Sequence, residues 1–437
     1  TSDFSPVFDL PAWQPSVIGH RSSDDQSSVF CLLSSVFSTM NVFVINSGSS
    51  SIKYQLISMP EAKVLCSGLV DRIGLEGSKV EHKSFLPQGE VKKVLEIPVQ
   101  HHSVGLQEVA KLLSDGEVGV ISDPSEVEVV GHRVVHGGEK FASTQVITPE
   151  IKAKIKALFP LAPLHNPANY LGIEVAESIF PHARQIAVFD TAFHQSMPAQ
   201  AYRMSIPNDL YVNHGIRAYG FHGTSHKYVS ERAGEFLKKK DTKVITIHLG
   251  NGCSMAAVAD GDCVDTSMGL GPMNGLIMGT RAGDIDQSVI FYLVRELGYS
   301  LDEVNNLLNK KSGMLGLTGF SDMRDISKLY HQGQPEAILA YQLYAYRIKK
   351  YIGSFAAAMN GLDAIVFTGG VGENDQLTRT LVCEKMDFLG IQLDPERNKL
   401  PNSGLRAIQT DTSSVQILVI PTNEELEIAR QCFGIED

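Results

Sequence analysis

The chain reads as an α/β protein made of two related halves. Apolar, β-branched runs at 42–45, 51–57, 127–130, 185–189, 243–249, 255–258, 364–368 and 415–420 have the length and composition of buried strands. Helical periods fall between them at 151–158, 225–237, 288–297, 301–308 and 335–360, and this alternation places helices on the faces of sheets. The third observation is an echo. The strand–turn–strand text of 44–53, turning through Asn46-Ser47-Gly48-Ser49-Ser50-Ser51, returns at 247–255 around Gly250-Asn251-Gly252. Two half-domains facing one cleft would produce it, although glycine and serine also dominate ordinary hairpin turns.

Taken in order, residues 1–39 stand apart. They are rich in Ser, Asp and Pro, and their one apolar cluster, 29–37, is broken by Ser34 and Ser35. No positively charged leader frames that cluster, so it does not read as a secretory signal. Met40 reads as a natural start and 1–39 as a poorly structured extension; a regulatory or targeting arm is the competing reading. Trp13, the only tryptophan, lies in this segment. At Met40 the buried-strand character begins. The helix 335–360 closes on Asn360-Gly361, a pair suited to a left-handed cap. The strand 415–420 leads into Pro421-Thr422-Asn423, with Glu424 and Glu425 opening a helix.

The chain has 437 residues, which at about 150 per domain suggests two or three domains. A 43% hydrophobic and 20% charged composition excludes global disorder. No uninterrupted apolar stretch is long enough for a transmembrane helix, and mean hydropathy is −0.03. The 38 basic against 49 acidic side chains leave a net charge of −11, which argues against nucleic-acid or anionic-membrane affinity. The 6 cysteines are scattered without a CxxC pair, the usage of reduced, cytoplasmic thiols.

Three small-residue turns each follow an apolar strand: 46–51, 250–254 and 368–374. Glycine lets backbone amides approach phosphate oxygens, and Ser and Asn add donors. Any one such turn reads first as a ligand-free hairpin; three of them after strands in one chain shift the balance toward a ligand. No P-loop and no dinucleotide fingerprint occurs, so a nucleotide would bind in another fold. Arg133 among glycines and histidines at 131–139, and Arg281 between glycines at 278–286, offer planar forks to carboxylate or phosphate, surface salt bridges being the alternative use. The histidines lack zinc spacing, and no GxSxG elbow occurs. His194 and His226 read as local hydrogen-bonding groups, whereas His222, in a turn, is the better donor to developing charge. Asp190 ends an apolar strand, where a catalytic or metal-orienting carboxylate sits. Glu424 and Glu425 can hold Mg2+ or simply offset a helix dipole.

These segments together closely resemble the acetate kinases of the acetate/propionate/butyrate kinase family. The resemblance is carried, in the family's order, by 44–54 (VINSGSSSIKY), 131–141 (GHRVVHGGEKF), 163–169 (PLHNPAN), 188–198 (VFDTAFHQSMP), 219–229 (YGFHGTSHKYV), 248–254 (HLGNGCS), 265–272 (DTSMGLGP), 278–286 (MGTRAGDID), 367–374 (FTGGVGEN) and 421–425 (PTNEE). It implies a duplicated actin-like, sugar-kinase-like (ribonuclease H-like) two-domain ATPase fold. It divides the chain into 40–191 plus 424–437, a first domain with a returning C-terminal helix, and 192–423, a nucleotide-binding second domain. The implied reaction is reversible in-line transfer of the ATP γ-phosphoryl group to acetate, giving acetyl phosphate and ADP. Mg2+ is the implied metal, with Mn2+ as a substitute, in a cytoplasmic homodimer with neither nucleic-acid nor membrane partners.

Carried over by the resemblance, Arg133 and Arg281 grip the acetate carboxylate and the moving phosphoryl group, and His222 donates to its oxygens. Asp190 orients the reacting groups and His165 supports the site. Asn46 and Glu424 are the metal residues. Val135, Leu164, Phe221 and Pro272 form the pocket for the acetate methyl. Lys53 and the run His248, Leu249, Gly250, Asn251 and Gly252 face the phosphates. Asp322, Met323 and Arg324, with Gly369, Gly370, Val371, Gly372 and Asn374, frame the adenosine. The roles suit the chemistry, since phosphoryl transfer needs positioning and charge neutralisation more than a base. Acetate is already ionised near neutrality. A propionate or butyrate kinase is the runner-up; a non-kinase actin-like ATPase would leave Arg133, Arg281 and His222 without a task. Two departures fall near the pocket. Gly271-Pro272-Met273-Asn274-Gly275 stands where the family pattern has Thr-Pro-Leu-Glu-Gly, and Gln287 replaces the proline after Asp286.

Overall fold

Residues 39–401 and 404–435 are described in this computed structural model; the readings for 1–38, Trp13 included, lie outside them. The first sheet has eight strands: β1 (Met40–Ser47), β2 (Ser51–Met59), β3 (Lys63–Asp71), β4 (Lys79–Leu86), β5 (Gly89–Glu96), β6 (Val129–Val134), β7 (Gln145–Val146) and β8 (Arg184–Phe189). The second has six: β9 (Lys243–Leu249), β10 (Cys253–Ala259), β11 (Asp262–Thr266), β12 (Ala364–Thr368), β13 (Arg406–Ala407) and β14 (Gln416–Val419).

The orders are β5-β4-β3-β2-β1-β6-β8-β7 and β11-β10-β9-β12-β14-β13. Within them one pattern occurs twice. β3-β2-β1-β6-β8 and β11-β10-β9-β12-β14 each run as an antiparallel meander of three strands followed by two strands parallel to the first. Both sheets then add a two-residue antiparallel edge strand. The echo between 44–53 and 247–255 is therefore the same hairpin in both halves, β1–β2 and β9–β10.

Burial explains the continuous apolar text of the central strands. On one face of β1, Phe43 and Ile45 pack with Leu106, Val109 and Leu113 of helix His102–Leu113 and with Ala176 of helix Asn166–Ile179. On the other, Val42 and Val44 meet Ile428, Ala429 and Cys432 of the C-terminal helix Glu424–Phe433. A strand covered on both faces has no position for alternating polar residues. Gly131 in β6 admits the C-terminal helix, because a Cβ there would lie 2.8 Å from Cys432 Sγ. In the second half, Ile245, Ile247, Phe367 and Val419 pack beneath Tyr344, Ile348, Ile352 and Phe355 of the long helix Pro335–Ala358.

Several expectations change here. The strand expected from Val127 begins at Val129, and Val127 closes a short 3-10 turn. The helix 335–360 ends at Ala358, with Asn360 at φ 51° in the left-handed region. The segment after β12 is no hairpin turn but a short helix, Gly369–Asn374, because a parallel strand must hand over to a crossover. β3, β4 and β5 were not expected as strands. β4 and β5 are half-exposed and alternate apolar with charged residues, so neither shows an apolar run.

Burial holds His132 and His194 each down to about 4, from an ordinary value near 6.5. The unfolded rings bind protons near 6.5 and the folded ones only near 4, so unfolding takes up protons in between. Stability is therefore complete above about 6.5 and falls as pH drops toward about 4, by up to about 3 kcal/mol per ring. Urea midpoints should fall between pH 7 and pH 5, and His132→Gln should flatten that dependence. An unchanged slope in the variant would count against it.

Candidate active site

Parallel strands of both sheets deliver their carboxyl ends to the chemistry, where open α/β sheets bind ligands. β1 carries Asn46, β6 carries Arg133, and Asp190 follows β8. Arg133 forms an ion pair with fully buried Asp190, donates from Nη1 to Asn46 Oδ1 at 3.3 Å, and places Nε 3.9 Å from Glu424 Oε2. Thr224 Oγ1 donates to the other Asp190 carboxylate oxygen at 3.0 Å. Burial works against the Arg133 charge, but Asp190, Glu424 and Glu425 outweigh it and hold its pKa above the ordinary value. Glu424 is pushed up to about 7 by burial, with Asp190 and Glu425 adding repulsion against the pull of Arg133 and Lys53.

His222 precedes helix Gly223–Leu237 in a left-handed conformation, φ 56°, rare for a residue with a side chain. Gly223 makes the junction. Its amide donates to the Asp190 carbonyl at 2.9 Å, and a Cβ there would sit 2.1 Å from that oxygen. The His222 ring stacks on His248 with centroids 4.5 Å apart. Burial, then His248, His226 and the two guanidiniums, hold His222 well below its ordinary value, so it is a neutral ring with one N–H to donate. A Cβ on Gly252 would lie 3.4 Å from His222 Nε2 and 3.7 Å from Arg281 Nη1, so both groups face one spot on that turn. Arg281 Nη1 also donates to the Pro272 carbonyl at 3.0 Å. His165 is lowered by burial and then by Arg281 and Arg133.

The expected nucleotide residues divide. Gly250, Asn251, Asp322, Met323, Arg324, Gly370, Val371 and Asn374 line a cavity of ≈ 800 Å³. Asp322 caps helix Met323–His331 and pairs with Arg324, so these two engage each other. His248, Gly252, Gly369 and Gly372 are not among its lining residues; a Cβ at Gly369, φ 77°, would lie 2.7 Å from the Leu249 carbonyl. The Leu249 side chain belongs to the core, so only its backbone can meet a ligand. Lys53 lies outside the cavity, with Nζ 2.5 Å from Glu425 Oε1. Of the expected methyl pocket, Val135 and Phe221 are buried and Pro272 is half-buried. Leu164 is 63% exposed, because the loop before helix Asn166–Ile179 holds it off the core.

Sequence reasoning missed the residues that hold these groups. Asn169 Oδ1 accepts from the Val135 amide at 3.1 Å while its Nδ2 donates to the Ser47 carbonyl at 2.7 Å. Asn166 brackets the His136 backbone in the same way. Their i, i+3 spacing within 163–169 was the available signal. Glu373 Oε1 accepts from the amides of Gly369, 3.0 Å, and Thr422, 3.2 Å, tying the ends of β12 and β14 together.

Residues 41–430 match the model of the acetokinase family. An acetate kinase of Flavobacterium johnsoniae is 58% identical over 396 residues, 91% of this chain and 99% of that protein. The crystal structure of Porphyromonas gingivalis acetate kinase has a TM-score of 0.85 at 46% identity, covering 90% of this chain and 98% of that one. A propionate kinase from Francisella tularensis subsp. tularensis has a TM-score of 0.84 at 42% identity, covering 91% and 100%.

Asn169→Ala would orphan two backbone groups at once. We expect a loss of about 2–4 kcal/mol in urea unfolding. An unshifted midpoint would mean that Val135 N–H and the Ser47 carbonyl find other partners.

Proposed function

The chain belongs to the acetokinase family, and on that premise we propose that it transfers the γ-phosphoryl group of ATP reversibly to acetate, giving acetyl phosphate and ADP. The observation that carries this is the convergence of Arg281 and neutral His222 on the Gly252 turn, with Arg133 fixed beside them by Asp190. Two guanidiniums and a neutral donor suit an anionic phosphoryl group and an anionic acceptor. None of them is a free base, and acetate requires none.

ATP is read into the ≈ 800 Å³ cavity, with its phosphates toward the 250–252 turn. The Gly250 amide is taken by the Gly252 carbonyl at 3.0 Å, whereas the Asn251 and Gly252 amides have no partner among the described residues. Those amides are free to cradle phosphate oxygens. Arg133 orients the acetate carboxylate in line, Arg281 and His222 take the charge on the moving oxygens, and Val135 and Phe221 enclose the methyl group. Asp190 fixes Arg133. The donors near Asn46 fit Mg2+. Glu424 is a half-buried carboxylate crowded by Asp190 and Glu425, and one or two such oxygen ligands, with phosphate, are what Mg2+ takes from a protein. When bound there, by Asn46 and Glu424, the ion supplies further neutralisation of phosphate charge.

We take 40–191 with 424–437 as one lobe and 192–423 as the other, supported by the separate sheets and by the C-terminal helix packing on the first. A cytoplasmic setting is supported by the described cysteines, all buried free thiols. No helix among the described residues is long and apolar enough to cross a membrane. A homodimer is supported by helix Ser288–Arg295, which buries no residue although Phe291 and Tyr292 are 57% and 59% exposed.

Acyl phosphate formation with Mg·ATP and acetate, propionate or butyrate tests the reading. Acetate should give the highest kcat/KM, each added methylene costing about 1–3 kcal/mol against the Phe221 wall. Preference for a longer acid would keep the mechanism and change the substrate. Arg133→Ala and Arg281→Ala should each lose at least about 10²–10³ in kcat while staying folded. A folded variant with near-full activity would remove that arginine from the mechanism. Phe291→Glu with Tyr292→Glu should halve the sedimenting mass; unchanged mass would place the dimer contact elsewhere.

A further inference from the structure

We propose that Thr246, His226 and Ser254 are positioning residues that fix His222 in the tautomer carrying its proton on Nε2, aimed into the cleft. This deepens the kinase reading and rests on it for the identity of the acceptor, the phosphoryl group in flight.

The residues form one row. His226 Nδ1 lies 2.7 Å from Thr246 Oγ1, His226 Nε2 lies 2.7 Å from Ser254 Oγ, and Ser254 Oγ lies 2.8 Å from His222 Nδ1. Thr246, His226 and Ser254 have no exposed surface, so water does not enter the row. A neutral imidazole has one N–H and one bare nitrogen, and each hydroxyl has a single proton. Burial favours the neutral form of both rings. Ser254 Oγ has no other acceptor among the described residues, so its proton goes to one ring and the other ring donates to its oxygen.

Thr246 sets the direction. The other acceptor for its hydroxyl, the Ala256 carbonyl, is 3.4 Å away, at the limit of a hydrogen bond, against 2.7 Å to His226 Nδ1. Its proton goes to His226 Nδ1. His226 then donates from Nε2 to Ser254, Ser254 donates to His222 Nδ1, and the His222 proton is left on Nε2. That atom has no hydrogen-bond partner among the described residues and faces the same point on Gly252 as Arg281 Nη1. His248, stacked on the ring, fixes its plane. A bare Nε2 would repel a phosphoryl oxygen; the N–H attracts it.

The test combines kinetics with 15N spectra of protein labelled on its histidine imidazoles, the His222 pair being assigned by its loss in His222→Gln. In wild-type protein the His222 proton should reside on Nε2. Ser254→Ala should mix the tautomers and lower kcat for acyl phosphate formation from Mg·ATP and acetate by about 10–100-fold, the range lost when the partner that orients a metal-bound histidine is removed. KM for both substrates should stay within about twofold, since ground-state binding is untouched. Ser254→Thr should restore most of the rate. Should Ser254→Ala misfold, His226 supplies a second pair. His226→Gln keeps a donor at the Nε2 position and should remain active, whereas His226→Asn should not. A wild-type proton on His222 Nδ1, or a folded Ser254→Ala with unchanged kcat, overturns the proposal. Wild-type protein that makes no acyl phosphate overturns the kinase reading instead, and the 15N spectra still decide the relay.

Discussion

Asp190 is a carboxylate with no exposed surface, and it keeps its place because both oxygens and its own carbonyl are used. One oxygen pairs with Arg133, the other accepts from Thr224, and the carbonyl takes the Gly223 amide. Thus one residue after β8 fixes a guanidinium on the first sheet and the start of the helix that presents His222. A buried pair of this kind adds little net stability, but removing one partner strands a charge, at a cost of about 3–5 kcal/mol. Register is what it provides: the groups around the cleft are positioned relative to one another through Asp190.

Burial then decides what each group is. Arg133 stays charged because carboxylates surround it, while His222 and His248 lose the contest against desolvation and stay neutral. The site therefore holds cationic forks and neutral donors side by side. A protonated histidine between two arginines would be expelled by repulsion. Neutrality allows His222 to pack against His248 and within reach of Arg281, and it makes the question of which nitrogen carries the proton a structural one.

The duplicated sheet gives the same local geometry two tasks. In the first half Asn46 of β1 and Lys53 of β2 meet Arg133 and Glu425; in the second the β9–β10 turn reaches the large cavity and His222.

Much of this was legible in the sequence, and the reason is burial. Strands covered on both faces, β1, β8, β9 and β12, must be continuously apolar, and so they announce themselves. Turns that approach a ligand must be small, so 46–51 and 250–254 stand out, as does arginine set between glycines. Half-exposed β4 and β5 carried no such mark, because their solvent faces are free to be charged. The segment after β12 reads as a turn from its glycines, yet it is helical because a parallel strand needs a crossover. Residue types around the site were thus set by local chemistry that the sequence states directly. Tertiary structure alone decided which groups meet: that Lys53 faces Glu425, that Leu164 stands exposed, that Glu373 ties β12 to β14, and that Ser254 joins His226 to His222. Those contacts link residues far apart in the chain, and a hydrogen bond between such residues leaves no periodicity behind.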